Sequence, residues 1–311
     1  MPSKIARSID EQIVLLEERG MTIGDRQKAY HHLSCVSYHR FKGYWWDMQA
    51  DQEQHIFKPN SCFEDVVSRY EYDKLLRLIL FDAIETIEIA LRAKLIYHLS
   101  LSYTGLFYAE EDLFEDRDLF DNYLDALRSE FMRSREPFVQ KYKRKYGVWE
   151  DGKCVDLKED PDAWEIFELA SFGTLSKVYK NLKHQLPEKA RIANDFGLNL
   201  HTELSSWLEA IAYLRNLIAH HSRILGRTMV KRPMYLKTPK NPWVHRDFSK
   251  DTSQRVYPII TSMLYMCHAL GEGERVRAKL VSFIKAHPDV LALRLGFPSG
   301  WDSEPIWREG L

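Results

Sequence analysis

The fold of this chain is decided by the apolar repeat LRLILFDAIETIEIALRAKL, residues 76–95. Apolar residues recur there at steps of three and four, which is the spacing of one face of an α-helix. The residues that share this spacing are Leu76, Ile79, Leu80, Ala83, Ile84, Ile87, Ala90, Leu91 and Leu95. We therefore predict a long, mostly buried helix from about residue 70 to residue 100.

Helical periodicity also dominates the rest of the chain. An amphipathic helix closed by Gly20 is expected over residues 8–20, because a glycine just past the last periodic residue is a common helix end. Further helices are expected around residues 123–131, 164–182, 203–221, 254–270 and 274–286. Strand signals are sparse, and residues 229–236 are expected to form at most a small hairpin or an extended arm. The predicted class is all-α.

The segment Gly147–Asp162 is predicted to be a connecting loop, because it contains Gly152, Pro161 and six carboxylates but few apolar residues. It would separate an N-terminal helical lobe, residues 1–146, from a C-terminal helical lobe, residues 163–311. We predict no other internal boundary.

Composition narrows the functional classes. The 311 residues are 45% hydrophobic and 29% charged, as in a globular protein, and the formal net charge is −1, so any affinity for nucleic acid must come from a local patch. The four cysteines are far apart, and the polar N-terminus lacks the apolar stretch of a secretory signal. No apolar run approaches the ~20 residues that span a bilayer. We expect a soluble cytoplasmic protein with no membrane partner.

The strongest candidate for chemistry is Arg215-Asn216-Leu217-Ile218-Ala219-His220. On a helix, Asn216 and His220 share a face one turn apart, and the long side chain of Arg215 can reach the same space. Histidine performs acid and base catalysis near neutral pH, arginine matches phosphate geometry, and asparagine can fix the imidazole or contact phosphate. The three residues fit metal-independent RNA cleavage by a ribose 2′-hydroxyl.

The distribution of charge along the chain also favours the Arg215–His220 motif as the site. From Ala210 to Arg246 there are eight Lys or Arg and no Asp or Glu. We expect this strip to bind RNA through His221, Arg223, Arg227, Lys231 and Arg232. A capped helix end would account for Arg223 and His221 alone.

The looser spacing, Arg with four to six residues before His, also occurs at Arg26–His31 and Arg92–His98. A surface helix charge explains Arg26. An ion pair with Glu88, one helical turn earlier, explains Arg92, although Arg92 and His98 remain secondary candidates for an RNA groove.

Other sites find little support in the sequence. It contains no H-E-x-x-H, and the adjacent pairs His31-His32 and His220-His221 point to different helix faces, so we expect neither a metal nor another cofactor. The aromatic patch, residues 38–46, is interpreted as core with Arg40 and Lys42 at its rim. A base-stacking role for this patch is the alternative.

Residues 214–223, LRNLIAHHSR, resemble the R-N-x-x-A-H-H-x-R signature of the AbiD/AbiF abortive-infection proteins of the HEPN superfamily. Further similar stretches are Tyr38–Tyr44, Tyr72-Asp73, Ile87–Arg92, Ser171–Ser176 and Leu295–Trp301. The chain departs from the family pattern at residues 224–227, where Ile-Leu-Gly-Arg replaces the usual Leu-Trp-Asn-Arg.

The resemblance implies a HEPN-type helical bundle with additional helices, a role in phage defence, and RNA cleavage by Arg215, Asn216 and His220. It also implies a homodimer in which two motif copies face each other. Some relatives are similar to toxins inhibited by a small non-coding RNA or a partner protein. Two rival functions remain open: a module that holds such an RNA without cutting, and a purely structural dimer.

Overall fold

The computed structural model describes residues 5–248, 254–288, 294–308 and 310. Residues 1–4 of the expected polar N-terminus lie outside the described residues. The chain folds as two compact units: unit 1 comprises Met1–Leu78 and His221–Arg227, and unit 2 comprises Ile79–His220 and Thr228–Leu311. This division does not coincide with the predicted boundary at residues 147–162.

Within the described ranges, helices account for most of the structure and the strands form two small two-stranded sheets, which confirms the all-α prediction. The elements of unit 1 are α1 (Ile9–Glu18), α2 (Arg26–Val36), α3 (Tyr38–Trp45), β1 (Gln49–Asp51), β2 (Ile56–Phe57) and the beginning of α4 (Phe63–Ser102). Those of unit 2 are the remainder of α4, α5 (Arg117–Arg133), α6 (Pro137–Tyr146), β3 (Gly147–Glu150), β4 (Lys153–Leu157), α7 (Ala163–Ile166), α8 (Phe172–Asn181), α9 (Pro187–Asp195), α10 (His201–Ala219), α11 (Tyr257–Ala269) and α12 (Gly273–Lys285).

Unit 1 has an aromatic core. Helix α1 begins at a capping box between Ser8 and Glu11 and is followed by Gly20 at φ +90°, as predicted for a glycine end. It packs on α2, which packs on α3. Phe41, which is fully buried on α3, makes edge-to-face contacts in this core with the rings of Phe63 and Tyr70. The interpretation of residues 38–46 as core is confirmed for the buried rings of the patch.

Helix α4 corresponds to the predicted long helix, but it begins earlier than expected, at Phe63. Its apolar repeat is buried along one face, including Leu76, Leu80 and Ile87. Leu78 and Ile89 on the same helix are more than half exposed, so burial follows one stripe rather than the whole surface.

In unit 2, α10 packs against α8, α9 and α11. Helix α11 is buried at every position from Tyr257 to Cys267, as expected of a helix that is apolar all round. Trp207 of α10 is fully buried, stacks on Trp243 at 5.3 Å between ring centroids, and donates a hydrogen bond from Nε1 to the carbonyl of Met234 at 2.8 Å. These contacts hold the irregular segment after Thr228 against α10.

Two predicted elements differ from the structure. The helix expected over residues 164–182 is split into α7, a 3-10 turn at Phe167–Leu169, and α8, because the side chain of Ser171 caps a new helix by accepting a hydrogen bond from the Thr174 amide. The predicted connecting loop, residues 147–162, contains the hairpin β3–β4. Residues 229–236 contain no strand, which the expectation of at most a small hairpin or an extended arm allows.

Candidate active site

The predicted motif lies on the last turn of α10 in unit 2. His220 ends the helix, and its amide donates to the carbonyl of Asn216 at 3.1 Å. Leu217 and Ile218 are buried, whereas Asn216 and His220 are exposed and Arg215 is half-buried. The helix thus presents the polar residues of the motif to solvent while its apolar residues enter the core.

The side chains of Asn216 and His220 form no hydrogen bond or ion pair with any residue in the described parts of the chain. An exposed polar side chain without partners adds little to the stability of the fold. Both groups are therefore available to a ligand.

Arg215 interacts electrostatically with Glu88 of α4. Burial raises the pKa of Glu88, and the positive charges of Arg215 and Arg92 oppose that rise. Arg92 Nη2 lies 3.4 Å from Glu88 Oε1, so the predicted intrahelical ion pair is present. Glu88 is thus a half-buried carboxyl group that interacts with both arginines.

The secondary candidates Arg92 and His98 are both engaged within unit 2. Besides its ion pair, Arg92 donates to the carbonyl of Ala170 at 3.2 Å. His98 Nε2 lies 2.8 Å from Asp195 Oδ2, which also accepts from Lys94 at 3.1 Å. Arg92 and His98 therefore link α4 to other parts of unit 2, namely Ala170 and helix α9.

In unit 1, the predicted RNA-binding residues His221, Arg223 and Arg227 lie on a loop. His221 is exposed and adopts the left-handed conformation, φ +53°. Arg223 turns inward and donates from Nη1 to the carbonyl of Leu225 at 2.7 Å, and burial lowers its pKa. Arg227 is half-buried. Arg223 therefore supports the loop, and His221 is the most accessible of the three.

The other two predicted RNA contacts lie in unit 2. Lys231 forms an ion pair with Glu209, which also binds Lys180 at 3.2 Å. Arg232 donates to the carbonyl of Phe248 at 2.7 Å. Glu209 lies one residue before the strip that begins at Ala210, and it offsets part of the positive charge of that strip.

Sequence reasoning did not identify the polar residues that hold the 221–227 loop. Asp73 of α4 is fully buried, and its Oδ1 accepts from the amides of Ile224 at 3.0 Å and Leu225 at 2.8 Å. Its Oδ2 accepts from the hydroxyl of Tyr44 at 2.8 Å and from Arg77. Desolvation, together with the adjacent carboxylate, raises the pKa of Tyr44 and keeps its hydroxyl a donor.

A further contact fixes the start of this loop. Arg40 Nη1 donates to the carbonyl of His221 at 2.7 Å. Gly43 leaves room for Arg223, since a Cβ there would lie 3.3 Å from its Nε. The sequence contains one indication of these contacts, the carboxylate of Tyr72-Asp73 within an apolar helical repeat. A charge buried at that position needs polar partners.

Among the described residues, no group of three or more His, Cys, Asp or Glu side chains is arranged to hold a metal ion. In the same part of the chain, no helix is long and apolar enough to cross a membrane.

No curated protein and no solved structure matches the chain. A family model described as Abi-like protein matches residues 31–226, more than half of the 311 residues and a range that includes the Arg215–His220 motif. The chain therefore belongs to the Abi-like protein family, which points to a role in abortive-infection defence against phage.

Proposed function

We propose that the chain is a metal-independent endoribonuclease of the HEPN type that acts in abortive infection, with Arg215, Asn216 and His220 at its active site. The observation that carries the proposal is the exposed pair Asn216 and His220 on the last turn of α10, whose side chains have no partner among the described residues, next to a half-buried arginine. The histidine supplies a group for acid–base cleavage of RNA, and the amide and guanidinium within about one helical turn of it can contact the phosphate.

In the proposed reaction, the ribose 2′-oxygen forms a bond to the adjacent phosphorus while the bond from phosphorus to the 5′-oxygen breaks. One imidazole removes the 2′ proton, and a second donates a proton to the leaving 5′-oxygen. Arg215 stabilises the additional negative charge on the phosphorane. Asn216 holds the imidazole or contacts phosphate. The products are a 2′,3′-cyclic phosphate and a 5′-hydroxyl.

The mechanism needs two imidazoles, and each chain supplies one His220. A homodimer with a two-fold axis beside the end of α10 doubles the arginine and the histidine without additional sequence. In this arrangement, Arg215 and His220 of both copies contribute to one cleft that takes a single RNA strand.

Mixing active and inactive subunits tests the shared cleft. When wild-type and His220→Ala subunits are unfolded and refolded together, a cleft that needs both imidazoles predicts activity that falls with the square of the wild-type fraction. Activity that falls in simple proportion to that fraction, or full activity of a chain that is monomeric at micromolar concentration by light scattering, would contradict the dimer.

The chemistry is tested by incubating purified protein with mixed RNA in EDTA and analysing the product ends. We expect cleavage that leaves 2′,3′-cyclic phosphates and 5′-hydroxyls. A strict magnesium requirement or 5′-phosphate ends would refute the mechanism. RNA that binds and stays intact would instead identify the chain as a module that holds a small RNA.

A further inference from the structure

Unit 1 contains a cavity of about 600 Å³ that the proposed active site does not use. It lies among α1, α3 and the β1–β2 sheet, and it is within the size range of pockets that bind small ligands. Its wall includes Arg7, Arg19, Lys42, His39 and His55, and its lining residues include no Asp or Glu. The cavity is therefore suited to an anion.

Three of the wall residues are cations, Arg7, Arg19 and Lys42, and Arg7 interacts electrostatically with Glu11. Arg19 donates from Nη1 to the hydroxyl of Tyr38 at 3.0 Å, and Lys42 Nζ lies 6.0 Å from the centre of the Trp46 ring. Neither of them, nor Arg7, forms an ion pair with a carboxylate in the described part of the chain. Elsewhere in unit 1, arginines such as Arg69 and Arg77 do find carboxylates.

Gln49 supplies a second, independent sign of a ligand. Its side chain lines the cavity and is only 5% exposed, and its Oε1 has no hydrogen-bond partner. The Nε2 of the same amide lies 3.5 Å from His55 Nδ1. A buried acceptor without a donor costs about 1–3 kcal/mol, so a ligand that donates to Oε1, once the buried amide turns toward the cavity, gains from the contact.

Aromatic and apolar groups complete the wall. The Tyr38 and Trp45 rings meet edge-to-face at 5.0 Å between centroids, and Leu15 lies on the opposite element, α1. A half-buried tyrosine next to free cations offers a planar surface for an aromatic ligand that carries negative charge.

We propose that this cavity binds a nucleotide, with its phosphate at Arg19 and Lys42 and with an exocyclic amine of its base donating to Gln49 Oε1. The ligand is either a free nucleoside monophosphate or a terminal nucleotide of RNA, since both present the same chemistry. The site belongs to unit 1 alone, and the proposal does not depend on RNA cleavage.

The test is calorimetric binding to the full chain. The probes are AMP, UMP, inorganic phosphate and a 5′-phosphorylated hexanucleotide whose 2′-O-methyl groups prevent cleavage. The pocket variants are Arg19→Gln and Lys42→Gln. The matched control is Lys74→Gln, which removes an exposed lysine of unit 1 that pairs only with Glu71. We expect the pocket variants to weaken binding about tenfold or more and the control to leave it unchanged.

Gln49→Leu tests the base contact. We expect wild type to prefer AMP, which carries an exocyclic amine, over UMP, and we expect this preference to disappear in the variant. Lys42 forms no hydrogen bond within the described residues, so Lys42→Gln should keep the wild-type melting temperature even if Arg19→Gln unfolds.

The outcomes separate the two sources of ligand. Pocket-dependent binding of AMP alone indicates a free nucleotide, and pocket-dependent binding of the hexanucleotide indicates RNA. Equal affinities in the pocket variants and the control, or no binding of AMP or hexanucleotide at millimolar concentration, would overturn the proposal. Because no cleavage is measured, failure of the nuclease assignment would not produce either result.

Discussion

Replacing Asp73 by asparagine should destabilise unit 1, because within the described residues its carboxylate is the ion-pair partner of the buried guanidinium of Arg77. Asparagine keeps the shape of the side chain and an acceptor for the amides of Ile224 and Leu225. It removes the negative charge and turns a donor toward Arg77. The substitution therefore keeps the loop contacts and removes the shared acceptor of Arg77 and the Tyr44 hydroxyl.

The expected loss follows from burial. Arg77 is 6% exposed and Asp73 is 0% exposed, so removing the acid leaves a desolvated cation unpaired. Breaking such a pair costs about 3–5 kcal/mol, a large share of the roughly 5–15 kcal/mol by which domains are stable. In Asp73→Asn/Arg77→Met neither charge remains, and the loss should fall to about 1–2 kcal/mol.

Urea denaturation followed by circular dichroism measures these free energies. The control is Glu71→Gln on the same helix, which removes one exposed ion pair and should change stability by less than about 0.5 kcal/mol. Amide exchange at Ile224 and Leu225 gives a local readout, which should stay protected in Asp73→Asn and lose protection in Asp73→Ala. An Asp73→Asn protein as stable as wild type would refute the reasoning.

Three further predictions concern other parts of the chain. Burial lowers the pKa of Lys189 to about 8, below its unfolded value, so the stability that its neutral form contributes is lost as pH falls through 8. Between pH 7.5 and about 9.5, the free energy of unfolding of wild type should therefore rise by up to about 2 kcal/mol relative to that of Lys189→Met. Urea-denaturation midpoints that change with pH in parallel in the two proteins would contradict this. His221→Gly should raise the free energy of unfolding by about 1 kcal/mol, because φ +53° is strained for histidine, and a lower midpoint in urea would exclude that explanation. Glu88→Gln removes the negative charge that interacts with Arg92 and Arg215 and should lower the cleavage rate several-fold. An unchanged kcat would show that Glu88 does not support cleavage.

The elements with repeated local patterns were predictable from the sequence. The apolar repeat around Leu76 predicted α4, and the amphipathic pattern closed by Gly20 predicted α1. The hairpin β3–β4 also has a local signal in the sequence. Its turn is Asp151-Gly152, with φ +48° and φ +75°, the pair favoured where two strands reverse through left-handed residues.

The candidate site was only partly predictable, because its support comes from distant residues. The motif itself is local, so the exposed face of Asn216 and His220 followed from helical geometry. The partners of Asp73 at Ile224 and Leu225 are about 150 residues away, and no spacing rule connects them. The pairing of Lys231 with Glu209 likewise depends on how the chain folds after Thr228.

The assignment of His220 as the catalytic acid–base is the central claim, and a single-turnover cleavage measurement tests it most directly. Wild type, His220→Ala and His31→Ala are compared on 5′-labelled RNA in EDTA. His31 is also exposed and also follows an arginine, Arg26, at the looser spacing, so it controls for loss of a surface histidine. The account predicts that His220→Ala loses about 10²–10⁴-fold in rate while His31→Ala cuts like wild type and all three keep the same helix content. Cleavage by His220→Ala at the wild-type rate would contradict it.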